Sequence, residues 1–277
     1  MPGELKVLTS RHLPELLALV DRDPVAHCFV AARLADPMDP WALGGLVWGW
    51  FEGARLRSAM YTGANLIPIE TTPLSRAAFA DNARRLGRRC SSIVGPAAEV
   101  MDLWRLLAPA WGPAREVRDT QYLMVTSQPA TRAPHPGLRP LRPDELDVLM
   151  PAAVAMFTEE VGMSPVSHGG GPAYRARLAE IVRSGRALGV VEDGRLIFKA
   201  EIGSATRQAC QIQGVWVEPG LRGRGLGVSG MAAVVDHARE HIAPVASLYV
   251  NDYNHVAVGT YLAVGFQTVG RFATILF

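Results

Sequence analysis

The chemically richest stretch of this 277-residue chain is Val215-Trp-Val-Glu-Pro-Gly-Leu-Arg-Gly-Arg-Gly-Leu-Gly227. A strand pattern over Ala209 to Val217 stops at Pro219 and Gly220, and a helical pattern starts at about Gly225. A glycine-rich turn of this kind presents several backbone N–H groups with no side chain in the way. The N-terminus of the following helix adds a partial positive charge. Arg222 and Arg224 can contribute charge-assisted hydrogen bonds. The chemistry that suits such a loop is the binding of a pyrophosphate. A Walker A loop would need Gly-Lys-Ser/Thr, which the stretch lacks. A dinucleotide fingerprint would need a third glycine where Val228 stands. Its acidic ribose partner, expected about 20 residues on, has only Glu240 to offer, inside the same helix.

A third reading fits. Arg222-x-x-Gly225-x-Gly227 resembles the acyl-CoA loop of the GNAT superfamily of N-acetyltransferases. Asn254-x-x-Ala257-x-x-x-Tyr261-x-x-x-Gly265-Phe266 is similar to the other recurrent segment of that superfamily, placed after the next strand as the fold requires. The two segments span Gln211 to Phe266, and the elements from Pro140 onward fit around them. The resemblance implies acetyl transfer from acetyl-CoA, as cosubstrate, to an amine acceptor. It implies that the backbone of Val215, Trp216 and Val217 pairs with the pantetheine arm like an added strand. Arg222, Gly223, Arg224, Gly225, Leu226 and Gly227 would then hold the pyrophosphate. Asn254 is a position that hydrogen-bonds the cofactor in the family. It is also a good helix N-cap, and both roles are compatible. Tyr261 falls where members carry a tyrosine near the CoA sulfur, so it is the candidate acid. The alternative is a core tyrosine on the buried stripe of its helix.

The acceptor amine must be neutral to attack a thioester, so a base or a water chain has to take its proton. An N–H near the thioester oxygen would stabilise the developing oxyanion. Some relatives carry a glutamate on the strand before the loop. Here that position falls at or near Gln211, and neither Gln211 nor Gln213, read as sharing its strand face, can accept a proton. The remaining candidates are Glu159 and Glu160 at the end of a helix, Glu201 on the adjacent strand, or a water relay. Lys199 shares a strand face with Glu201, so those two could instead pair. His168, in a glycine-rich stretch, reads as solvated.

These residues need a framework. Ser127 to Pro140 is rich in proline and small polar residues and lacks periodicity, which marks a linker. In the second half, Asp144–Glu160 has helical spacing, with Pro151 expected to kink or break it. Val161–Pro172 reads as a loop and Ala173–Ser184 as a helix. The strands Ala187–Val191 and Leu196–Gly203 are joined through Asp193-Gly194, a hairpin signal. The strand Ala209–Val217, a helix to His241, the strand Ala246–Val250 and a helix over Asn254–Val264 follow. Gly265 is the expected C-cap, and Phe266–Phe277 supplies one or two strands.

The first half reads in the same order: Leu5–Leu8, helices over Leu13–Val20 and Val25–Ala35, then strands Leu46–Phe51, Ala54–Tyr61 and Leu66–Thr71. A helix over Leu74–Leu86, the strand Ser91–Val94, a helix over Glu99–Ala108 and the strand Gln121–Thr126 complete it. The expected architecture is α+β, with tandem GNAT-like domains, each a mixed, mostly antiparallel sheet flanked by helices. Residues 1–127 would form a degenerate domain, 128–137 a linker and 138–277 the catalytic domain. The position equivalent to the loop in the first half is Glu70-Thr-Thr-Pro-Leu-Ser75, without glycine, so no pyrophosphate site of the usual kind is expected there. The whole chain resembles tandem actinobacterial GNAT proteins with an N-terminal domain of unknown function. Trp41, Trp48, Trp50, Trp104 and Trp111 concentrate in that half, mostly as core.

Composition sets the remaining bounds. Hydrophobic residues make up 49% and charged residues 19%, enough apolar material for a core and unlike a disordered chain. A net charge of +2 gives no reason to expect nucleic acid or an anionic membrane as partner. Cys28, Cys90 and Cys210 are far apart and form neither a disulfide framework nor a metal-ligand pattern. There is no secretion signal at the start, and Leu43–Phe51 is too short to span a bilayer. A soluble, cytoplasmic protein is expected. The alternatives are another acyl donor, an O-acceptor, or a non-catalytic acyl-CoA sensor or protein-interaction module.

Overall fold

The computed structural model describes residues 3–34 and 44–277, without the side chain of His168. Trp41, Ala35 at the end of an expected helix, Leu43 at the start of the apolar run and the His168 side chain lie outside the described residues. Contacts divide the chain into two units. The first holds residues 1–124, 249–254 and 268–277, and the second holds 125–248 and 255–267.

The first unit runs β1 (Glu4–Val7), α1 (Leu13–Val20), α2 (Cys28–Leu34), β2 (Leu46–Glu52), β3 (Arg55–Thr62), β4 (Asn65–Ile69), α3 (Pro73–Leu86), β5 (Ser92–Pro96), α4 (Ala97–Trp111) and β6 (Glu116–Thr126). The second runs β7 (Arg139–Pro140), α5 (Leu146–Val161), α6 (Gly171–Arg183), β8 (Ala187–Glu192), β9 (Arg195–Ala205), β10 (Ala209–Val217), α7 (Leu226–His241), β11 (Val245–Asn251) and α8 (His255–Val264), before β12 (Gln267–Leu276). Strand neighbours follow chain order in both, β1-β2-β3-β4-β5 and β7-β8-β9-β10-β11. In both, every pairing is antiparallel except the last, β4 with β5 and β10 with β11, which is parallel. The repeated order expected from the sequence is thus matched by a repeated pairing pattern.

Strand alternation explains the layers of the first unit. Val47 and Phe51 of β2 pack with Leu16 and Leu19 of α1 and Val30 of α2. Trp50, on the opposite side of the strand, packs with Phe79 of α3 and Leu103 and Leu107 of α4. Trp48, Trp104 and Trp111 join that second cluster, with Trp104 and Trp111 edge-on to Phe277 at 5.6 and 5.8 Å. The last segment of the chain is one strand, β12, and it pairs antiparallel with β5 over Phe272–Leu276, so Ala273 and Ile275 complete the core of the first unit.

In the second unit, Leu149 and Ala153 of α5, Leu178 and Val182 of α6, Ala187, Leu196 and Trp216 share one core. Pro151 does not break α5, which is helical from Leu146 to Val161. The proline lies inside the helix, beyond its first turn, and the apolar residues around it, Leu149, Ala152 and Ala153, are buried, so packing holds the segment helical. The Asp193-Gly194 hairpin forms as expected, both residues having positive φ (48° and 72°), as a tight two-residue turn between twisted strands requires. No helix among the described residues is long and apolar enough to cross a membrane.

Candidate active site

The strand β10 delivers the chain to the glycine-rich loop. Its ladder with β11 covers only Ala209–Gln211 against Val245–Ser247, and β10 then continues through Ile212 to Val217. After a turn at Pro219–Leu221 the chain enters α7 at Leu226. Gly223 and Gly225 have φ of +75° and +83°, and a Cβ at either would meet nothing within 4 Å. Here glycine is required by the backbone, and the space above it is open. Gly225 is the N-cap of α7 and has no side chain to satisfy the first helical amides. Gly227 sits close to the strand, its hypothetical Cβ 3.6 Å from Val217 Cγ2. Arg222 and Arg224 are exposed. Arg222 Nε donates to Val217 O at 3.0 Å, and its Nη2 donates to Glu159 Oε2 at 2.8 Å. The end of α5 is thereby tied to the loop.

The adjacent residue, Glu160, relates to the other motif. Tyr261 is buried in α8, with its ring 5.9 Å from that of Phe266. Burial first, and the charge of Glu160 second, push its phenol well above the ordinary range. Gly265 caps α8 as expected, with φ of +112° and its N–H donating to Tyr261 O at 3.2 Å. Of the two consecutive glutamates at the end of α5, Glu159 is bonded to the loop through Arg222.

Glu201 is buried and tied on both oxygens. Lys199 Nζ donates to Oε1 at 2.6 Å and Gln213 Nε2 to Oε2 at 3.4 Å. The pairing with Lys199 that the sequence allowed is thus present. The charge of Glu201 reaches Tyr174, whose phenol is pushed up to about 12, by burial first and by Glu201 second. Tyr174 donates its hydroxyl to Ala153 O at 3.1 Å. Sequence reasoning missed the bulge that this cluster surrounds. The register of β10 against β9 shifts between Gln213 and Trp216, at Gly214 with φ of +60°. A lone glycine within Gln-Ile-Gln-Gly-Val-Trp-Val was the available signal, since glycine inside a strand pattern marks bulges.

Asn254 is exposed, directly precedes α8, and its N–H donates to Asn251 O at 3.0 Å. It falls in the segment grouped with the first unit, whereas the loop, Glu159, Glu160, Glu201 and Tyr261 all fall in the second. The turn of the first unit that matches the loop in order is short and internally bonded. Glu70 has φ of 52°, and Thr71 donates both its N–H, at 2.8 Å, and its hydroxyl to Glu99 Oε2. Thr72 caps α3 by accepting from Ser75 N at 3.2 Å. A carboxylate and a side-chain cap of the chain itself thus occupy donors at the start of α3.

The second-unit residues fit the demands of an acyl-CoA ester. Open left-handed glycines and an uncapped helix start suit phosphate oxygens. The part of β10 beyond its short ladder with β11 suits an extended amide-bearing arm. Comparison with known proteins agrees. Residues 154–266 match the model of the Acetyltransferase (GNAT) family, and residues 45–149 match a domain of unknown function, DUF4081. The chain thus carries a GNAT acetyltransferase domain over residues 154–266, preceded by a DUF4081 domain. Solved structures similar to it along almost its whole length include a tandem GNAT protein from the clavulanic acid biosynthesis pathway, with 18% identity, coverage of 99% of this chain and 98% of that chain, and a TM-score of 0.59. A Drosophila protein matches with 16% identity, 99% and 98% coverage and a TM-score of 0.69. A GCN5-related N-acetyltransferase from Sphaerobacter thermophilus matches with 16% identity, 99% and 94% coverage and a TM-score of 0.63. At such identities the likeness is one of fold, a mostly antiparallel sheet flanked by helices. No curated protein matches. The family and fold are those of acyl-CoA-dependent acetyl transfer.

Proposed function

We propose that this chain is an N-acetyltransferase that moves the acetyl group of acetyl-CoA directly to an amine, in the second unit. The observation that carries the reading is the joint placement of an uncapped glycine-rich helix start at Gly225, tied through Arg222 to Glu159, and a buried Tyr261 in α8, whose Thr260 lies beside Gly227 of the loop. Acetyl-CoA, when bound, supplies the acetyl group as an activated thioester.

The chain's own residues divide the work. The amides of Gly223, Arg224, Gly225, Leu226 and Gly227 face the pyrophosphate, and Arg222 adds a cation. The backbone of Val215, Trp216 and Val217 holds the pantetheine arm in register. Tyr261 protonates the departing sulfur as the thiolate develops. Glu159 is engaged by Arg222, and Glu201 by Lys199 and Gln213. Glu160, at the exposed end of α5 and beside the glycine-containing segment that follows it, is our candidate to receive the proton of the incoming ammonium, directly or through water.

The test is acetyl-CoA-dependent thiol release across a panel of small amines, peptide N-termini and lysine peptides, with wild type and Tyr261→Phe. The substitution keeps the ring and its contact with Phe266. Turnover should fall about 10²–10⁴-fold, the range for one positioned acid or base, while acetyl-CoA affinity stays within a few-fold. Wild-type turnover by Tyr261→Phe, with chemistry rate-limiting, would make the tyrosine a packing residue. Tight acetyl-CoA binding with no transfer to any acceptor would favour the sensor.

A further inference from the structure

Helix α7 starts at the glycine-rich loop and ends in His237-Ala-Arg-Glu-His241, a stretch that the acetyltransferase reading does not use. Residues four apart on a helix stand one above the other on the same face. His237 and His241 do so here, with ring centres 4.7 Å apart and ring planes at 62°. His237 is half-buried and His241 is exposed, so the pair is open to solvent. Glu240 Oε2 lies 3.7 Å from His241 Nε2 and brings a negative charge to the same face. Arg239 falls about 200° round the helix from either histidine and leaves that face clear. Asp236 is engaged elsewhere, accepting from Ala130 N at 3.1 Å.

Two imidazoles on adjacent turns can share one metal ion. A nitrogen of each ring at about 2.0–2.1 Å from the ion, with an angle of about 90–110° there, holds the ring centres about 4.5–5.2 Å apart. The observed 4.7 Å lies inside that range. The helix end adds its own attraction for a cation, because the last carbonyls carry negative partial charge. We propose that His237 and His241 form a two-histidine site for a borderline divalent transition-metal ion, Zn²⁺ or Ni²⁺, with water in the remaining positions. Imidazole suits these ions, whereas Mg²⁺ and Ca²⁺ take oxygen ligands. The spacing is the one by which paired histidines on a helix hold zinc in H-E-x-x-H and H-x-x-E-H segments. Those enzymes complete the metal with a third protein ligand. Among the described residues no group of three His, Cys, Asp or Glu side chains is gathered for a metal. The reading is therefore one of ion binding, not of peptide hydrolysis. It is independent of the acetyltransferase reading, since neither histidine belongs to the loop or to the residues assigned as acid and base.

The experiment titrates Zn²⁺ into the full chain, free of any purification tag, by calorimetry, while long-range ¹⁵N–¹H NMR follows the histidine ring signals. Wild type should take up one ion per chain at this site, with the His237 and His241 rings shifting together. Ni²⁺ should displace the Zn²⁺, and Mg²⁺ at the same concentration should not. Losing an outer-shell partner already costs about 10–100-fold in metal affinity, so losing a ligand should cost at least that. His241→Gln, at an exposed position where the fold should stand, carries this test, and His237→Gln should match it. Thermal melts without metal check that both variants are folded. Zn²⁺ binding by His241→Gln with wild-type affinity would place the ion on other ligands and overturn the proposal. So would a wild type in which neither ring moves, or only one does, a result that needs no variant to fold.

Discussion

Replacing Gly225 by glutamate should abolish acetyl-CoA binding while sparing the fold, and the structure separates the two effects. Gly225 has φ of +83°, is the N-cap of α7, and a Cβ there would meet nothing within 4 Å. Alanine at this position thus suffers only the left-handed backbone penalty, about 1–2 kcal/mol. Glutamate suffers the same penalty but recovers part of it, because a carboxylate at a helix N-terminus is stabilised by about 0.3–1 kcal/mol. Against a pyrophosphate the same carboxylate is repulsive. At about 4 Å and an effective dielectric of about 20, one pair of unit charges costs about 4 kcal/mol. With about 1.4 kcal/mol per tenfold change, that is about a 10³-fold loss of affinity, before any steric exclusion. Isothermal calorimetry with acetyl-CoA reads it: one site per chain in wild type, a modest loss in Gly225→Ala, and loss by about three orders of magnitude in Gly225→Glu. Thermal melts of the two variants should differ little. If Gly225→Glu binds within a few-fold of wild type, the phosphates do not lie at this helix start. Two equivalent sites in wild type would contradict the internally bonded turn of Thr71 and Glu99.

The Arg139–Glu145 pair gives a pH-dependent prediction. Glu145 is buried, accepts from both Arg139 Nη atoms at 2.7 and 2.8 Å and from Arg142 N at 2.8 Å, and its carboxyl is pulled down to about 2, chiefly by the hydrogen bonds from Arg139. Its folded pKa lies below the unfolded value of about 4.3, so the stabilisation is present above that value and is lost as the pH falls from there toward about 2. Glu145→Gln should cost about 1.5–3 kcal/mol at pH 7, with the Tm difference from wild type narrowing on acidification; an equal difference at pH 7 and pH 3 would show that the charge is not what stabilises. The fragment 138–277 should aggregate, because it carries β12 without its partner β5 and exposes Phe272, Ala273 and Ile275, which are buried in the full chain. A monodisperse, melting-competent fragment by size exclusion and calorimetry would refute this.

How much of this was legible in the sequence differs from residue to residue. The hairpin at Asp193-Gly194, the cap at Gly265 and the extent of α1, Leu13–Val20, were readable because each depends on residues a few positions apart. So was the loop at Arg222–Gly227, since only glycine supplies left-handed backbone with open space above it. At Pro151 the expected break is absent, since α5 is helical on both sides of it and its buried face holds it in place.

The remaining features join residues far apart in the chain, and no periodicity encodes such partners. Arg222 finds Glu159, Tyr261 feels Glu160, and β12 completes the sheet beside β5. Glu201 illustrates the division most clearly. Its type and strand face were evident from the sequence, as was the possibility of pairing with Lys199. Its surroundings appear only in the fold, where Lys199 Nζ donates both to Glu201 and to the carbonyl of Gly214 at the bulge. Residue type and spacing determined which groups could do chemistry. Tertiary packing decided which of them are engaged by a neighbour, because burial forces every charge to take a partner and the fold determines which partners are within reach.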